Sequence, residues 1–360
     1  MNNNAPSYQG IKVNIITGFL GAGKTTLIRH LLRQVPDGES WAILVNEFGE
    51  IGLDKDLLEA DLKRDADSTL DSPVLLENIA IKQVAGGCLC CTTSAAFQVS
   101  LNTLIKTHNP DRILIEPSGL GHPKNILKQL QSPYYQSVLQ LESVLCLLDA
   151  RNLNDARYYN HPNFIEQIAM ADILIASKTE LYQESDWHAF HAYAATLNPA
   201  KKHIETIKNG QLALSWLKLR PKIRKTDANQ IAPLHSGLSL REDTDEISIE
   251  QTKAPGFYIR ASGSETNLAW VFKDDILFDQ AKVTHCFDKL QSHSSLLRIK
   301  AVLQLDKQHS LLWNASAYDQ RLELSGKQTS SKIELILISD KLSDENLRKI
   351  KASIALLSED

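Results

Sequence analysis

Short apolar runs alternate with longer stretches of helical periodicity along the first 219 residues. Continuous apolar runs of about four to eight residues are typical of strands that are buried on both faces of a parallel sheet. The runs are Ile11–Thr17, Trp41–Val45, Ile81–Val84, Arg112–Glu116, Val144–Asp149, Asp172–Ala176 and His203–Ile207. Strands that alternate with helices predict an α/β fold, a doubly wound and mostly parallel sheet with right-handed crossovers.

Two of the intervening segments have a clear apolar face. Leucine, isoleucine and valine recur at helical spacing over Thr25–Val35, and Phe97, Leu101, Leu104 and Ile105 do so in a segment that starts near Ser94. This spacing predicts amphipathic helices that cover the sheet.

The pattern changes over residues 220–253, where a basic stretch and an acidic stretch have no apolar face. We interpret this segment as a linker. Strand-like runs then surround helical segments at Asp279–Leu290 and Ser343–Leu357, which predicts a smaller α+β domain with an antiparallel sheet. The predicted organisation is a disordered lead over 1–10, an α/β domain over 11–219, the linker, and the α+β domain over 254–360.

Composition excludes several classes of protein. Hydrophobic residues make up 43% of the 360 residues, which is ordinary for a globular protein. The net charge is −4, which argues against a nucleic-acid partner held by bulk electrostatics. No apolar run approaches the length of a membrane span, and the polar first ten residues lack the core of a signal peptide. Three of the five cysteines lie within Cys88–Cys91, which indicates a thiolate site in a reducing cytoplasm rather than a disulfide framework.

The first strand and the first helix enclose Gly18-Phe-Leu-Gly-Ala-Gly-Lys24-Thr25, which has the spacing G-x-x-x-x-G-K-[ST]. Glycines let such a loop turn tightly and bring backbone N–H groups close to phosphates. Lys24 is predicted to reach the β- and γ-phosphates, and Thr25 to give its hydroxyl to Mg²⁺.

Glu116-Pro-Ser-Gly119 follows a buried strand downstream of this loop. In GTP-dependent switches a carboxylate at such a place supports Mg²⁺ through water, and a glycine N–H three residues later meets the γ-phosphate. The pattern E-x-x-G by itself is typical of an ordinary turn. The prediction for Glu116 and Gly119 therefore rests on the position of this pattern directly after the strand.

Ser177-Lys178-Thr-Glu180 follows the strand Asp172–Ala176. A carboxylate there can accept two hydrogens from the edge of guanine, while the Lys178 stem lies along the base; adenine would leave the carboxylate unpaired. The common guanine signature is Asn-Lys-x-Asp, and both outer positions differ here. The segment therefore favours guanine, and a solvated helix start is the alternative.

Gly87-Cys88-Leu89-Cys90-Cys91 has the character of a soft-metal loop. In an extended chain Cys88 and Cys90 point the same way, and a turn can bring in Cys91 as a third thiolate for Zn²⁺ or Cu⁺. Buried core cysteines and a redox dithiol are the alternatives. Glu47, in the polar segment Asn46–Asp54, is a further candidate metal ligand.

These motifs, in this order, make the chain resemble the CobW-type GTPases, the metal-chaperone branch of the P-loop GTPases, whose relatives include the nickel-insertion GTPases of hydrogenase and urease. The resemblance implies GTP hydrolysis coupled to delivery of a transition metal, above all zinc, to a client protein. It assigns the metal to Cys88, Cys90 and Cys91. It assigns the nucleotide to Gly21, Ala22, Gly23, Lys24, Thr25, Thr26, Ser177, Lys178 and Glu180.

The expected cofactors are accordingly GTP or GDP, Mg²⁺ and Zn²⁺, with Lys24, Thr25 and Glu116 as the catalytic residues. We expect slow intrinsic turnover, because the sequence has no obvious arginine finger or water-orienting glutamine. The expected partner is a client metalloprotein, and an oligomer is compatible with the sequence. The alternatives are a P-loop kinase or ATPase with structural cysteines, and an interaction module that the nucleotide stabilises.

Overall fold

The computed structural model describes residues 8–45, 78–84, 94–197, 199–219, 247–248, 256–262, 265–316, 318–326 and 330–358. Within these ranges the chain forms two seven-stranded sheets, the first parallel and the second antiparallel. We call residues 8–219 the P-loop domain and residues 247–358 the C-terminal domain. No helix in the described ranges is both long and apolar enough to cross a membrane.

The parallel sheet has the strand order β3-β2-β4-β1-β5-β6-β7. Its strands are β1 (Ile11–Gly18), β2 (Trp41–Val45), β3 (Ile79–Gln83), β4 (Arg112–Glu116), β5 (Leu139–Leu148), β6 (Ile173–Ala176) and β7 (His203–Thr206). The strands β2, β4 and β6 are buried along their whole length. This agrees with the continuous apolar runs in the sequence and confirms the predicted parallel α/β sheet.

Within the described residues, six helices accompany this sheet and are packed on both of its faces. They are α1 (Lys24–Leu32), α2 (Ser94–His108), α3 (Pro123–Leu130), α4 (Ala156–Tyr159), α5 (Pro162–Met170) and α6 (Glu184–Thr196). One core cluster combines α2 and α3 with strand residues, and another combines α1 with residues of the opposite face. Helix α1 is shorter than predicted because Val35 precedes Pro36, and a residue before proline disfavours the helical conformation.

The antiparallel sheet has the order β13-β12-β11-β14-β10-β9-β8. Its strands are β8 (Ile247–Ser248), β9 (Gly256–Ser262), β10 (Glu265–Val271), β11 (Leu296–Gln304), β12 (His309–Ser316), β13 (Gln320–Gly326) and β14 (Lys332–Ile338). Helices α7 (Gln280–Gln291) and α8 (Asp344–Ala355) share a core cluster with residues that alternate along the central strands. The predicted α+β architecture of this domain is therefore confirmed.

Three elements of the C-terminal domain differ from the prediction. Strand β13 was not predicted, because its side chains are exposed or half-buried at the edge of the sheet and give no apolar run. Strand β10 begins at Glu265, before the predicted start at Ala269. Strand β8 lies inside the predicted linker 220–253, and the rest of that segment is outside the described residues. The domain boundaries remain a prediction.

The face of the antiparallel sheet opposite α7 and α8 packs against the P-loop domain. Leu297 of β11 and Ile336 of β14 belong to one core cluster with Phe19 and Leu20, which follow β1. At the edge of this contact the Nε2 atom of buried His161 lies 2.5 Å from a carboxylate oxygen of Glu265. The loop after β1 therefore has the C-terminal domain as a direct neighbour.

Candidate functional site

The loop between β1 and α1 has the backbone shape that its glycines permit. Gly21 has a φ of 73° and Gly23, which caps α1, has a φ of 90°. Both values lie in the left-handed region that side chains with a Cβ rarely adopt, so these two positions require glycine. The loop consequently turns from the end of β1 to the N-terminus of α1, where backbone N–H groups and the helix dipole favour an anion.

Lys24 and Thr25 open helix α1 and reach in two directions. The buried Lys24 ammonium donates hydrogen bonds to the carbonyl oxygens of Gly18 and Phe19, at 2.9 and 3.3 Å. The Thr25 hydroxyl donates to Oε1 of Glu116, at 3.1 Å. Glu116 is buried at the end of β4, the strand between β1 and β2, so the fold brings the three predicted catalytic residues to one edge of the sheet.

The segment Ser177–Glu180 follows β6 at the same edge. The Ser177 hydroxyl donates to the carbonyl oxygen of Ala22 at 2.8 Å, which ties this segment to the phosphate loop. Lys178 has a φ of 58°, and a Cβ built on Gly23 would lie 3.7 Å from its Cε atom. The lysine stem therefore runs beside the phosphate loop, where the sequence predicts that it lies along a base.

A segment that the sequence analysis did not single out completes this end of the site. The residues after β7, Ile207 to Gly210, lie against Ser177–Glu180. The backbone N–H and the hydroxyl of Thr179 both donate to the Ile207 carbonyl, and the N–H of Asn209 donates to Oε2 of Glu180 at 3.1 Å. The turn residues Asn209 and Gly210, which follow a predicted strand, were the sequence signal that could have identified this segment.

One cavity of about 460 Å³ joins the phosphate end and the Glu180 end. It is lined by the predicted residues Gly21, Gly23, Lys24, Thr25, Thr26, Glu116, Gly119, Ser177, Lys178 and Glu180. Ala22 is buried in the loop beneath it. The cavity is also lined by the C-terminal domain, through Arg298, Lys300, Asn314, Ser316, Asp319, Gln320, Arg321, Glu334 and Ile336.

The predicted transition-metal residues lie outside the described part of the chain. This applies to Cys88, Cys90, Cys91 and Glu47. Within the described ranges no group of three or more His, Cys, Asp or Glu side chains is arranged to hold a metal ion. Two other cysteines are described: burial raises the pKa of Cys146 in β5 to about 12 and that of half-buried Cys286 in α7 to about 11. Both thiols therefore stay protonated near neutral pH, as expected of core residues.

A glycine loop between the first strand and first helix of a parallel sheet, with a lysine, a threonine and a facing carboxylate, defines a P-loop nucleotide-binding protein. The chain belongs to the CobW/HypB/UreG family, because the nucleotide-binding domain of that family matches residues 12–205. This match covers more than half of the chain and includes the phosphate loop, Glu116 and Ser177–Glu180.

Individual proteins similar to this chain include two curated zinc chaperones. "Zinc chaperone YeiR" of Escherichia coli (strain K12) is 47% identical over 169 residues, which is 47% of each chain. "Zinc chaperone CobW" of Sinorhizobium sp is 29% identical over 58% of this chain and 62% of its own length. The chain thus spans about half the length of these relatives. The crystal structure of Zn(II)-bound YjiA GTPase from E. coli matches with 20% identity over 97% of this chain and 99% of that one, at a TM-score of 0.41.

Proposed function

We propose that this protein binds GTP, hydrolyses it slowly and delivers a transition metal, zinc, to a client protein. The observation that carries the GTP proposal is the single cavity in which the phosphate loop at one end faces Ser177–Glu180 at the other. A purine nucleotide needs both ends at once: donors and a cation for its phosphates, and an acceptor for the edge of its base.

The phosphate end also suits Mg²⁺. Mg²⁺ prefers oxygen ligands, and the Thr25 hydroxyl and the Glu116 carboxylate are 3.1 Å apart at the mouth of the loop. Thr25 would hold the ion directly and Glu116 through water, and the ion would supply neutralisation of charge on the β- and γ-phosphates. Lys24 would exchange its hydrogen bonds to Gly18 and Phe19 for phosphate oxygens.

The metallochaperone part of the proposal is supported by the family, by the names of the relatives and by the sequence Cys88-Leu-Cys90-Cys91. Proteins named zinc chaperones are similar to this chain, and relatives in Schizosaccharomyces pombe and Dictyostelium discoideum are named zinc-regulated GTPase metalloprotein activators. Thiolates are the ligands that zinc prefers over oxygen donors. We expect the client to be a metalloprotein.

Competition between nucleotides tests the GTP proposal. Fluorescent GDP bound to the full chain should be displaced by GTP at far lower concentration than by ATP, and GTP should then be hydrolysed slowly in the presence of Mg²⁺. Displacement by ATP at similar concentration would instead favour a P-loop kinase or ATPase. Tight nucleotide binding with undetectable hydrolysis would favour an interaction module.

The role of Glu180 leads to a prediction about specificity. In Glu180→Gln one carboxylate oxygen becomes an amide donor that faces the donor edge of guanine. We expect the dissociation constant for GDP to rise about 10- to 100-fold, the range for one charge-assisted hydrogen bond, while the weak binding of ADP changes little. Titration of both fluorescent nucleotides measures the two constants.

Glu184→Gln is the matched control, because the Glu184 side chain is 92% exposed on α6, four residues further along. The control variant should keep the GDP and ADP constants of the wild type. Equal losses of GDP and ADP affinity in Glu180→Gln would show that the residue supports the loop and does not recognise guanine.

A further inference from the structure

The C-terminal domain forms a polar wall of the nucleotide cavity. Residues of β11 alternate between two environments: Ile299 and Ala301 pack in the core beneath α7 and α8, whereas Arg298 and Lys300 line the cavity. The contact extends to the phosphate loop, since a Cβ built on Gly21 would lie 3.3 Å from Oγ of Ser316, the last residue of β12. Nucleotide bound in this cavity would therefore touch both domains.

Asp319, in the connection between β12 and β13, makes a charged contact across this boundary. Its carboxylate forms an ion pair with the ammonium of Lys178, the lysine of the predicted guanine segment. The same carboxylate accepts hydrogen bonds from Nη2 of Arg151, at 2.9 and 3.0 Å. Asp319 thus links the C-terminal domain to two cations of the P-loop domain.

Asp149 completes a cluster of four charges with these residues. Its carboxylate accepts hydrogen bonds from Nε and Nη2 of Arg151, at 2.9 and 2.5 Å, and lies 3.8 Å from the Lys178 ammonium. Burial by itself would raise the pKa of the Asp319 carboxyl, but Lys178 and Arg151 outweigh it and hold that pKa below its usual range. The carboxylate is therefore charged near neutral pH, and two acids balance two bases.

The cluster fixes a side chain that would otherwise be mobile. A lysine has four rotatable bonds, and ordering it when a ligand binds costs conformational entropy. Here the ammonium is held by Asp319 and Asp149, and the stem lies beside Gly23 of the phosphate loop. Contacts within the protein thus hold the stem on the side of the cavity where a base would lie against it.

We propose that Asp319 is a positioning residue for the nucleotide: from the C-terminal domain it holds Lys178 in the orientation that the bound base requires. This inference rests on the proposed function, because it assumes that the cavity takes a guanine nucleotide. It also couples the two domains. If Asp319 strengthens nucleotide binding, bound nucleotide strengthens the contact that Asp319 makes, by the same factor.

The test compares the wild-type chain of 360 residues with Asp319→Ala and Asp319→Asn, the second of which keeps the size of the side chain and removes its charge. Both variants should bind fluorescent GDP about three- to tenfold more weakly, the cost of ordering one long side chain. In nucleotide-free protein both should also react faster with an amine-acylating reagent at Lys178, located by mass spectrometry, and at the wild-type rate at Lys124, an exposed residue of α3.

Asp275→Ala is the control, because Asp275 is an exposed acid of the same domain, and it should match the wild type in both measurements. Wild-type GDP affinity in either Asp319 variant would overturn the inference. Tighter GDP binding would also overturn it, because it would show that Asp319 competes with the nucleotide for Lys178. Unchanged acylation of Lys178 would overturn it as well. A wild-type protein that binds no guanine nucleotide would overturn the proposed function, and this inference with it.

Discussion

Lys24→Ala should slow GTP hydrolysis roughly 100- to 1,000-fold and weaken the binding of GDP and GTP. The Lys24 ammonium is buried at the start of α1, and it donates hydrogen bonds to two carbonyl oxygens of the loop that it belongs to. With a nucleotide bound, the same donors would face phosphate oxygens. Removal of one such positioned donor costs roughly 100- to 1,000-fold in rate.

The two measurements for this variant are single-turnover hydrolysis of GTP and titration of fluorescent GDP. Lys124→Ala serves as the control, because it removes an exposed lysine from α3 without touching the cavity. A Lys24→Ala protein that hydrolyses GTP at the wild-type rate would contradict the role of this loop in phosphate binding. Circular dichroism of both variants checks that a loss of rate does not come from unfolding.

The parts of the site that the sequence predicts well are local in the chain. The phosphate loop is specified by eight consecutive residues between a strand and a helix, and Glu116 and Ser177 directly follow buried apolar runs. Because the strands are parallel, their C-terminal ends meet at one edge of the sheet, which brings distant segments together without further information. The structure accordingly places Glu116 against Thr25, and Ser177 against Ala22.

The parts that the sequence does not predict depend on contacts between distant segments. Asp319 is separated from Lys178 by 141 positions and lies next to β13, an edge strand without an apolar run. Which face of the antiparallel sheet meets the phosphate loop is decided by the packing of Leu297 and Ile336 against Phe19 and Leu20. Such complementarity between two surfaces leaves no periodic or spacing signal in either segment.

Replacing Cys88, Cys90 and Cys91 together by alanine should nearly eliminate zinc binding. Loss of a residue that only supports a ligand already costs roughly 10- to 100-fold in metal affinity, so loss of the thiolates themselves should cost on the order of a thousandfold or more. We expect the wild type to bind one zinc ion tightly in an anaerobic competition with a chromophoric chelator, and the triple variant to leave the zinc on the chelator.

Cys286→Ala is the matched control, because burial holds the pKa of this thiol at about 11 and keeps it protonated near neutral pH. Its zinc affinity should equal that of the wild type. Wild-type zinc affinity in the triple variant would exclude the three cysteines as the metal ligands.

The same titrations, repeated with a nonhydrolysable GTP analogue and with GDP, measure how the nucleotide acts on the metal. A chaperone that releases its cargo on hydrolysis must bind zinc more tightly in the GTP state, and typical couplings between two sites are about 5- to 150-fold. By linkage, zinc must then tighten GTP binding by the same factor, and the triple variant must lose this effect while it still binds GTP. Equal zinc affinity in the two nucleotide states would show that the metal site and the nucleotide site are independent. GTP hydrolysis could then not drive delivery of the metal.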